Sequence, residues 1–191
     1  MTRCHCALPA SHCICDLPPL QTGLASINIW LHPNESERPT NTARIAAALI
    51  EEVRLHRWQR GIATPGKPEA GCLLFPADRP PWPEQIIAPA ELDAQTPVLL
   101  LDGSWKECRK MLRQTPWLQR LPRLRLTPDR PSRYPLRRGA DPGQLCTAEA
   151  IAELLRLRGQ PQIAATLEQQ LQRFYRHYQA FKSGHPARDA R

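Results

Sequence analysis

An acidic residue stands at the end of an apolar run. Residues 97–101 read Pro-Val-Leu-Leu-Leu, which predicts a buried strand, and Asp102 follows at its carboxyl end. After Gly103, a basic amphipathic helix is predicted from Ser104, its N-cap, to about Gln114. Open α/β sheets usually bind ligands at strand ends beside helix N-termini. A carboxylate at this place can take up a proton, hold a cationic group, or simply cap the helix.

The predicted helix carries two further side chains that can bind a ligand. Trp105 can stack on a base or on adenine, or it can be a core residue that anchors the helix to the sheet. Arg109 lies four residues further on and so on the same face, where a phosphate or a carboxylate can dock. Cys108 has no histidine or acid partner at motif spacing, which favours packing over nucleophilic catalysis.

The N-terminal residues contain cysteines spaced as metal ligands. They form two pairs, each with one residue inside the pair: Cys4 with Cys6, and Cys13 with Cys15. Four thiolates can close a tetrahedral structural zinc site, and His5 or His12 can replace one of them. Unliganded reduced cysteines in a tail are the alternative. Zinc catalysis is disfavoured because four sulfur ligands leave no position for water, and the motifs of zinc base deaminases are missing.

Positive charge is concentrated in one segment. The 191 residues carry a net charge of +8. Residues 106–138 hold eleven basic residues, nine of them arginines, against two acidic ones, so the rest of the chain carries −1. Such a density of arginine favours binding to the phosphates of a nucleic acid, with a solvated basic face as the alternative.

No run approaches the roughly 20 apolar residues of a membrane span, and cysteines occupy the place where a signal peptide has its apolar core. We therefore expect a cytoplasmic protein with no membrane partner, in which thiols stay reduced.

Alternating strands and helices predict an α/β fold with a mostly parallel sheet flanked by helices. Strands are predicted at 26–31, 71–75, 97–101 and 124–126, and helices at 41–58, 104–114, 147–158 (capped by Thr147) and 162–182. A polar loop is predicted at 32–39 and a basic loop at 128–143. The expected domains are a zinc-binding arm of residues 1–20, one domain of residues 21–185, and a disordered tail of residues 186–191.

Six motifs stand in a fixed order along residues 4–156. They are the cysteine pairs, His32-Pro33-x-Glu35 with Arg38 and Asn41–Arg44, Leu74–Pro76, Asp102–Leu112, Ser132–Arg137 and Cys146–Ala150. This order resembles the DTW-domain family of tRNA-uridine aminocarboxypropyltransferases. Two details differ from the family pattern: Ser104 replaces the commoner threonine, and the first cysteine pair is one residue shorter, which makes Cys4 the least secure zinc ligand.

The resemblance implies a reaction and a fold. The reaction is transfer of the 3-amino-3-carboxypropyl group of S-adenosylmethionine to N3 of a tRNA uridine, giving acp3U and methylthioadenosine. The fold implied is SPOUT-like, with a knotted C-terminal part of the sheet that binds S-adenosylmethionine.

The resemblance also implies roles for individual residues. Expected catalytic residues are Asp102, Ser104 and Trp105. Expected contacts to S-adenosylmethionine are Leu74, Phe75, Pro76, Asp102, Gly103, Cys146, Thr147 and Glu149, the last two at a helix N-terminus that can meet the carboxylate of this co-substrate. Expected contacts to tRNA are His32, Glu35, Arg38, Asn41, Arg109, Lys110, Arg133, Tyr134, Arg137 and Arg138. The expected structural zinc ligands are Cys4, Cys6, Cys13 and Cys15.

Two other functions remain open from the sequence. One is a SPOUT-like RNA methyltransferase that uses the same co-substrate, and the other is a zinc-containing RNA-binding protein without catalysis. The sequence leaves undecided which uridine is modified, and whether the protein is a monomer or a homodimer. It also leaves open whether Asp102 takes the proton or positions the donor, and whether Cys4 or a histidine completes the zinc site.

Overall fold

The computed structural model describes residues 6–61, 71–76, 83–126, 132–135 and 145–187. Cys4, Arg137 and Arg138, most of the predicted basic loop, and residues 188–191 of the predicted tail lie outside these ranges.

A six-stranded sheet organises the described part of the chain. The strands are β1 (Ile27–Leu31), β2 (Val53–Arg57), β3 (Cys72–Leu74), β4 (Ile86–Ile87), β5 (Val98–Asp102) and β6 (Arg123–Leu124). Their order is β2-β1-β5-β3-β6-β4, and every pairing between them is parallel. The predicted parallel α/β fold is confirmed, and β5 lies inside the sheet between β1 and β3.

Six α-helices accompany these strands among the described residues. They are α1 (Pro33–Ser36), α2 (Ala43–Leu49), α3 (Trp105–Arg113), α4 (Pro116–Arg120), α5 (Thr147–Leu157) and α6 (Pro161–Lys182), with short 3₁₀ helices at Ala10–His12 and Pro89–Glu91. No helix in the described ranges is both long and apolar enough to cross a membrane.

Several predicted element boundaries are wrong. The helix expected over 41–58 ends at Leu49, because Val53–Arg57 pairs residue for residue with β1 and this pairing outweighs the helical periodicity. The loop expected at 32–39 contains α1, whose first residue, Pro33, suits a helix start. The N-cap of α5 is Cys146, and Thr147 is the first helical residue.

The chain divides into two compact units, one of which contains the sheet. This sheet unit comprises Gly23–Arg38 and Glu52–Thr127. Its apolar cluster packs α3 and α4 on one sheet face, where Leu99 and Leu101 of β5 contribute. Since successive strand residues point to opposite faces, Asp102 belongs to the other face, together with Val98 and Leu100.

The second, helical unit comprises Met1–Thr22, Pro39–Glu51 and Pro128–Arg191. In it α5 packs along α6, and α2 contacts both helices. The sequence places an apolar stripe on the last helix at Ile163, Leu167, Leu171, Phe174, Tyr178 and Phe181. Leu167, Leu171 and Phe174 of this stripe are buried, whereas Phe181 is 46% exposed. The division into an arm, one domain and a tail stays a prediction.

Candidate active site and metal centre

Asp102 occupies the predicted position at the carboxyl end of β5. Asp102 is buried, with only 8% of the residue exposed. The backbone carbonyl of Asp102 accepts a 2.8 Å hydrogen bond from the His32 amide, which directly follows β1. The ends of two adjacent parallel strands therefore meet at Asp102, the place where open α/β sheets usually bind ligands.

Ser104 starts α3 as the sequence predicts. Its Oγ accepts a hydrogen bond from the Glu107 amide (3.3 Å), while Glu107 Oε2 accepts hydrogen bonds from the Ser104 amide (2.8 Å) and from Ser104 Oγ (2.7 Å). This reciprocal capping box fixes the turn between β5 and α3.

Glu107 is the functional candidate that the sequence reasoning missed. Its Oε1 accepts a 2.7 Å hydrogen bond from Asn34 Nδ2 and lies 3.2 Å from His32 Nδ1. Burial by itself raises the pKa of Glu107, but hydrogen bonds from Ser104 and Asn34 and the charge of His32 lower it to about 2. One ionised carboxylate thus joins the residues after β1 to the residues after β5. The capping spacing Ser104-x-x-Glu107 is the one sequence signal for it.

Gly103 lies where these two segments approach closely. A Cβ at this position would lie 3.2 Å from the Cβ of Glu107 and 3.3 Å from the Cβ of His32, closer than side chains normally pack. The glycine of this motif therefore gives the His32 and Glu107 side chains room to meet.

The low pKa of Glu107 predicts a dependence of stability on pH. A carboxylate whose folded pKa is about 2, against an ordinary value of 4.5, stabilises the fold above pH 4.5 and loses this contribution as the pH falls towards 2. We expect the free energy of unfolding of wild type to be higher than that of Glu107→Gln. The difference is expected to be constant above pH 4.5 and to decrease as the pH falls below 4.5. Urea denaturation at several pH values measures this difference, and a difference that does not change with pH would contradict it.

Trp105 packs against the core of the sheet unit. Its ring meets Phe75 edge to face, with centroids 5.8 Å apart, so the anchoring role considered from the sequence is present in the structure. Its Nε1–H is buried and has no hydrogen-bond partner among the described residues.

Two further predicted cofactor contacts lie beside a buried arginine. The Arg123 guanidinium lies 5.2 Å from the centroid of the Phe75 ring and donates a 3.1 Å hydrogen bond to the Pro76 carbonyl. Arg123 is 0% exposed, and this burial lowers its pKa. Arg123 lies in the basic segment of residues 106–138, but a fully buried guanidinium does not belong to a phosphate-binding surface. Leu74, the neighbour of Phe75, ends β3.

The predicted tRNA contacts fall into exposed and buried groups. Lys110 and Arg133 are exposed, Arg38 is largely exposed and pairs with Glu35, and Arg109 is half-buried. His32, Glu35, Asn41 and Tyr134 are buried. Lys106 and Arg113 are also exposed on α3, so this helix presents most of the described cationic surface near the motif.

In the helical unit, Glu149 joins two motifs. Its carboxylate accepts hydrogen bonds from Ser132 Oγ (2.6 Å), the Arg133 amide (2.6 Å) and the Cys146 amide (2.8 Å). It therefore holds residues 132–133 against the start of α5.

The start of α5 and Tyr134 both contact the residues before α2. Thr42 Oγ1 accepts a 3.3 Å hydrogen bond from the Ala148 amide, and the Tyr134 hydroxyl donates to the Thr40 carbonyl (3.3 Å). Burial raises the pKa of Cys146 and of Tyr134, so both stay neutral. The motifs at 41–44 and 146–150 and residues 132–135 thus meet in the helical unit, while the motifs at 32–35, 74–76 and 102–112 meet in the sheet unit.

Three of the four predicted zinc ligands lie together. The Sγ atoms of Cys6, Cys13 and Cys15 lie within 4.8 Å of one another, and the Cys15 amide donates to Cys13 Sγ at 3.4 Å. These thiols form a cluster that can hold a metal ion. His12 is not part of it, because its Nε2 donates to the His185 carbonyl and its Nδ1 contacts Ser11 Oγ, both at 2.9 Å.

The segment that carries these cysteines is attached to α6. Asp16 forms an ion pair with Arg173, and buried His177 donates from Nδ1 to the His12 carbonyl at 3.0 Å. The His12 ring also meets Phe181 edge to face. A metal held by the cysteines would therefore brace the last helix of the helical unit.

The protein has an α/β fold with a parallel sheet and a buried carboxylate at its strand ends, the position at which open α/β sheets usually bind ligands. The DTW-domain family model matches residues 1–179, so the chain belongs to the DTW-domain family, which is associated with tRNA modification. The resemblance seen in the six motifs is confirmed. A comparison with solved structures gave no match.

Proposed function

We propose that the protein transfers the 3-amino-3-carboxypropyl group of S-adenosylmethionine to N3 of a tRNA uridine and releases methylthioadenosine. The observation that carries this proposal is the buried carboxylate of Asp102, placed at an inner strand end immediately before the basic helix α3. Membership of the DTW-domain family supports an action on tRNA.

The Asp102 carboxylate fits the transferred group. This group carries an α-ammonium, for which a buried carboxylate is a strong partner. Trp105, three residues further along the chain, has a buried Nε1–H without a partner among the described residues. S-adenosylmethionine, when bound, supplies a carbon made electrophilic by its sulfonium. The catalytic role of Ser104 stays a prediction. So do the co-substrate contacts at Leu74, Phe75, Pro76, Gly103, Cys146, Thr147 and Glu149. The SPOUT-like knot, the cytoplasmic location and the oligomeric state also stay predictions.

Helix α3 is proposed as the main tRNA contact of the sheet unit. Lys106, Lys110 and Arg113 project from it into solvent, and Arg109 is half-buried beside them. Two of these cations lie in the last helical turn, where they also offset the helix dipole. A protein that only binds phosphates does not need a buried carboxylate beside its basic helix. The position of Asp102 before α3 therefore favours an enzyme over a non-catalytic RNA-binding module.

We also propose that the cysteine cluster holds one structural zinc ion. Its donors are thiols alone, which favour zinc in a closed tetrahedral site. Cys6, Cys13 and Cys15 supply three ligands, and Cys4 or His5 supplies the fourth. A closed site contributes to folding and leaves no position for a reacting water.

Loss of a cysteine ligand is expected to remove the zinc and loosen α6. We predict that Cys15→Ser falls from one zinc per chain to none in elemental analysis and has a lower Tm, since the cysteine segment contacts Arg173 and His177. Cys72→Ser is the matched control, because it removes a buried thiol of β3 outside the cluster and keeps the zinc. Purified metal-free protein with full activity and unchanged Tm would contradict the assignment.

The released product tests the proposed reaction. Wild-type protein incubated with unmodified tRNA and S-adenosylmethionine is expected to release methylthioadenosine, measured by chromatography. Release of adenosylhomocysteine would instead identify a methyltransferase. Tight tRNA binding with neither product would identify a binding protein.

A further inference from the structure

Helix α3 crosses the carboxyl ends of the strands in the sheet unit. At its start, Trp105 packs edge to face on Phe75, which directly follows β3. Just past its end, Thr115 Oγ1 accepts a 2.9 Å hydrogen bond from Nε1 of Trp58, the residue after β2. Three strand spacings, about 14 Å, separate β3 from β2. The nine residues of α3 span about the same length, roughly 14 Å, so the helix reaches from the end of β3 to the end of β2.

The exposed cations of α3 form one stripe that leads to β2. Lys106, Lys110 and Arg113 are exposed, and their spacing of four and then three residues places them on one helical face. Arg113 lies two residues before Thr115, whose side chain is bonded to the residue after β2. The stripe therefore brings positive charge to the carboxyl end of this strand.

The end of β2 carries two further cations, which lie outside the basic segment of residues 106–138. Arg57 is the last residue of β2, and Arg60 follows three residues later, immediately before Gly61, whose φ of 73° turns the chain. Both arginines are exposed, and neither forms an ion pair within the described part of the chain. Because β2 is the outermost strand on its side of the sheet, these cations stand at the sheet edge.

Arg57 belongs to the sheet face that carries Asp102. The register pairs Leu31 with both Arg57 and Asp102, so the three residues form one row across the sheet and point to one face. The next residue, Trp58, belongs to the apolar cluster under α3, which independently places Arg57 on the opposite face. Two strand spacings, about 10 Å, separate the Cα atoms of Arg57 and Asp102.

The phosphates of an RNA backbone suit these positions. Exposed arginines offer paired hydrogen bonds and a permanent positive charge to phosphate oxygens. A tRNA that lies along α3 is on the sheet face opposite Asp102, so it has to pass the end of the sheet to bring a uridine to this carboxylate. The end of β2 is a place where exposed cations continue from α3 to the face of Asp102.

We propose that Arg57 and Arg60 bind phosphates of the tRNA backbone, and that the end of β2 continues the cationic surface of α3 to the sheet face of Asp102. The identity of the RNA rests on the proposed function. Contacts to phosphate carry no sequence information, so this surface positions the tRNA and leaves the choice of uridine to other residues. It contributes affinity that falls as the salt concentration rises, because bound phosphates release counterions.

Single glutamine variants measure this contribution. Arg57→Gln and Arg60→Gln are each expected to raise the Kd for tRNA roughly 5-fold and to lower the slope of log Kd against log salt concentration by about 1. KM for tRNA is expected to rise by the same factor, with unchanged kcat at saturating tRNA and unchanged Tm. Arg54→Gln is the matched control, since it removes one exposed cation of the same strand about 10 Å nearer its amino end. This control is expected to keep the wild-type Kd and salt slope.

The binding and product measurements decide separate questions. Arg57→Gln and Arg60→Gln proteins whose Kd and salt slope equal those of Arg54→Gln overturn the phosphate surface while the proposed function stands. A lower kcat with unchanged Kd also overturns it, because the arginines then act in the reaction and not in backbone binding. Wild-type protein that binds tRNA with the expected salt dependence but forms no acp3U removes the proposed function and leaves the phosphate surface in place.

Discussion

Asp102→Asn is expected to abolish aminocarboxypropyl transfer and to leave tRNA binding intact. Asparagine has nearly the shape of aspartate but no negative charge, so the variant loses the partner of the donor's ammonium in a position that is only 8% exposed. Removing a charge-assisted contact of this kind costs at least about 100-fold in rate, the range found for preorganised electrostatic groups. The measurement is kcat for acp3U formation, together with Kd for tRNA and Tm.

Glu37→Gln is the matched control for this experiment. It removes one negative charge from an exposed carboxylate of the same unit and is expected to keep the wild-type rate. An Asp102→Asn enzyme as active as this control would show that the carboxylate takes no part in the reaction.

Glu149→Ala is expected to cause the largest loss of stability of any single substitution considered. Alanine leaves three donors without their acceptor: Ser132 Oγ, the Arg133 amide and the Cys146 amide. Hydrogen bonds to an ionised group contribute about 1.5–3 kcal/mol each, and partial rehydration of the donors reduces the sum. We therefore expect a loss of about 3–5 kcal/mol in the free energy of unfolding, measured by urea denaturation.

Glu153→Ala, one turn further along α5, provides the comparison. Glu153 forms an ion pair with Arg156 in which both side chains are 26% exposed, and such pairs are worth at most about 1 kcal/mol. If the two variants unfold at the same urea concentration, the bracing role of Glu149 is wrong.

Features encoded by neighbouring residues could be predicted from the sequence. The apolar run, the carboxylate and the capping serine of the β5–α3 motif lie within a few residues, and local patterning determines them. The apolar stripe of α6 was predictable for the same reason. The cysteine pairs required only that a short segment bring its thiols together.

Features that depend on contacts between distant residues were missed. Residues 53–57 form strand β2 because they pair with β1. The helical periodicity of the preceding residues predicts a helix at this place instead. The sequence shows Glu107 only as one negative charge in the basic segment. Its contacts with Asn34 and His32 could not be predicted, because these residues lie more than 70 positions earlier in the chain. The sequence groups Arg123 with the surface cations of the basic segment, because residue type alone does not show that its side chain is buried.

The origin of the carbon added to uridine tests the central claim most directly. Wild-type protein would be incubated with unmodified tRNA and with S-adenosylmethionine labelled either in the aminocarboxypropyl group or in the methyl group. Mass spectrometry of the nucleosides in a tRNA digest would then locate the label. The account predicts that only the aminocarboxypropyl label appears, on uridine as acp3U. Methyl label on a nucleoside, or no label on any nucleoside, would contradict it.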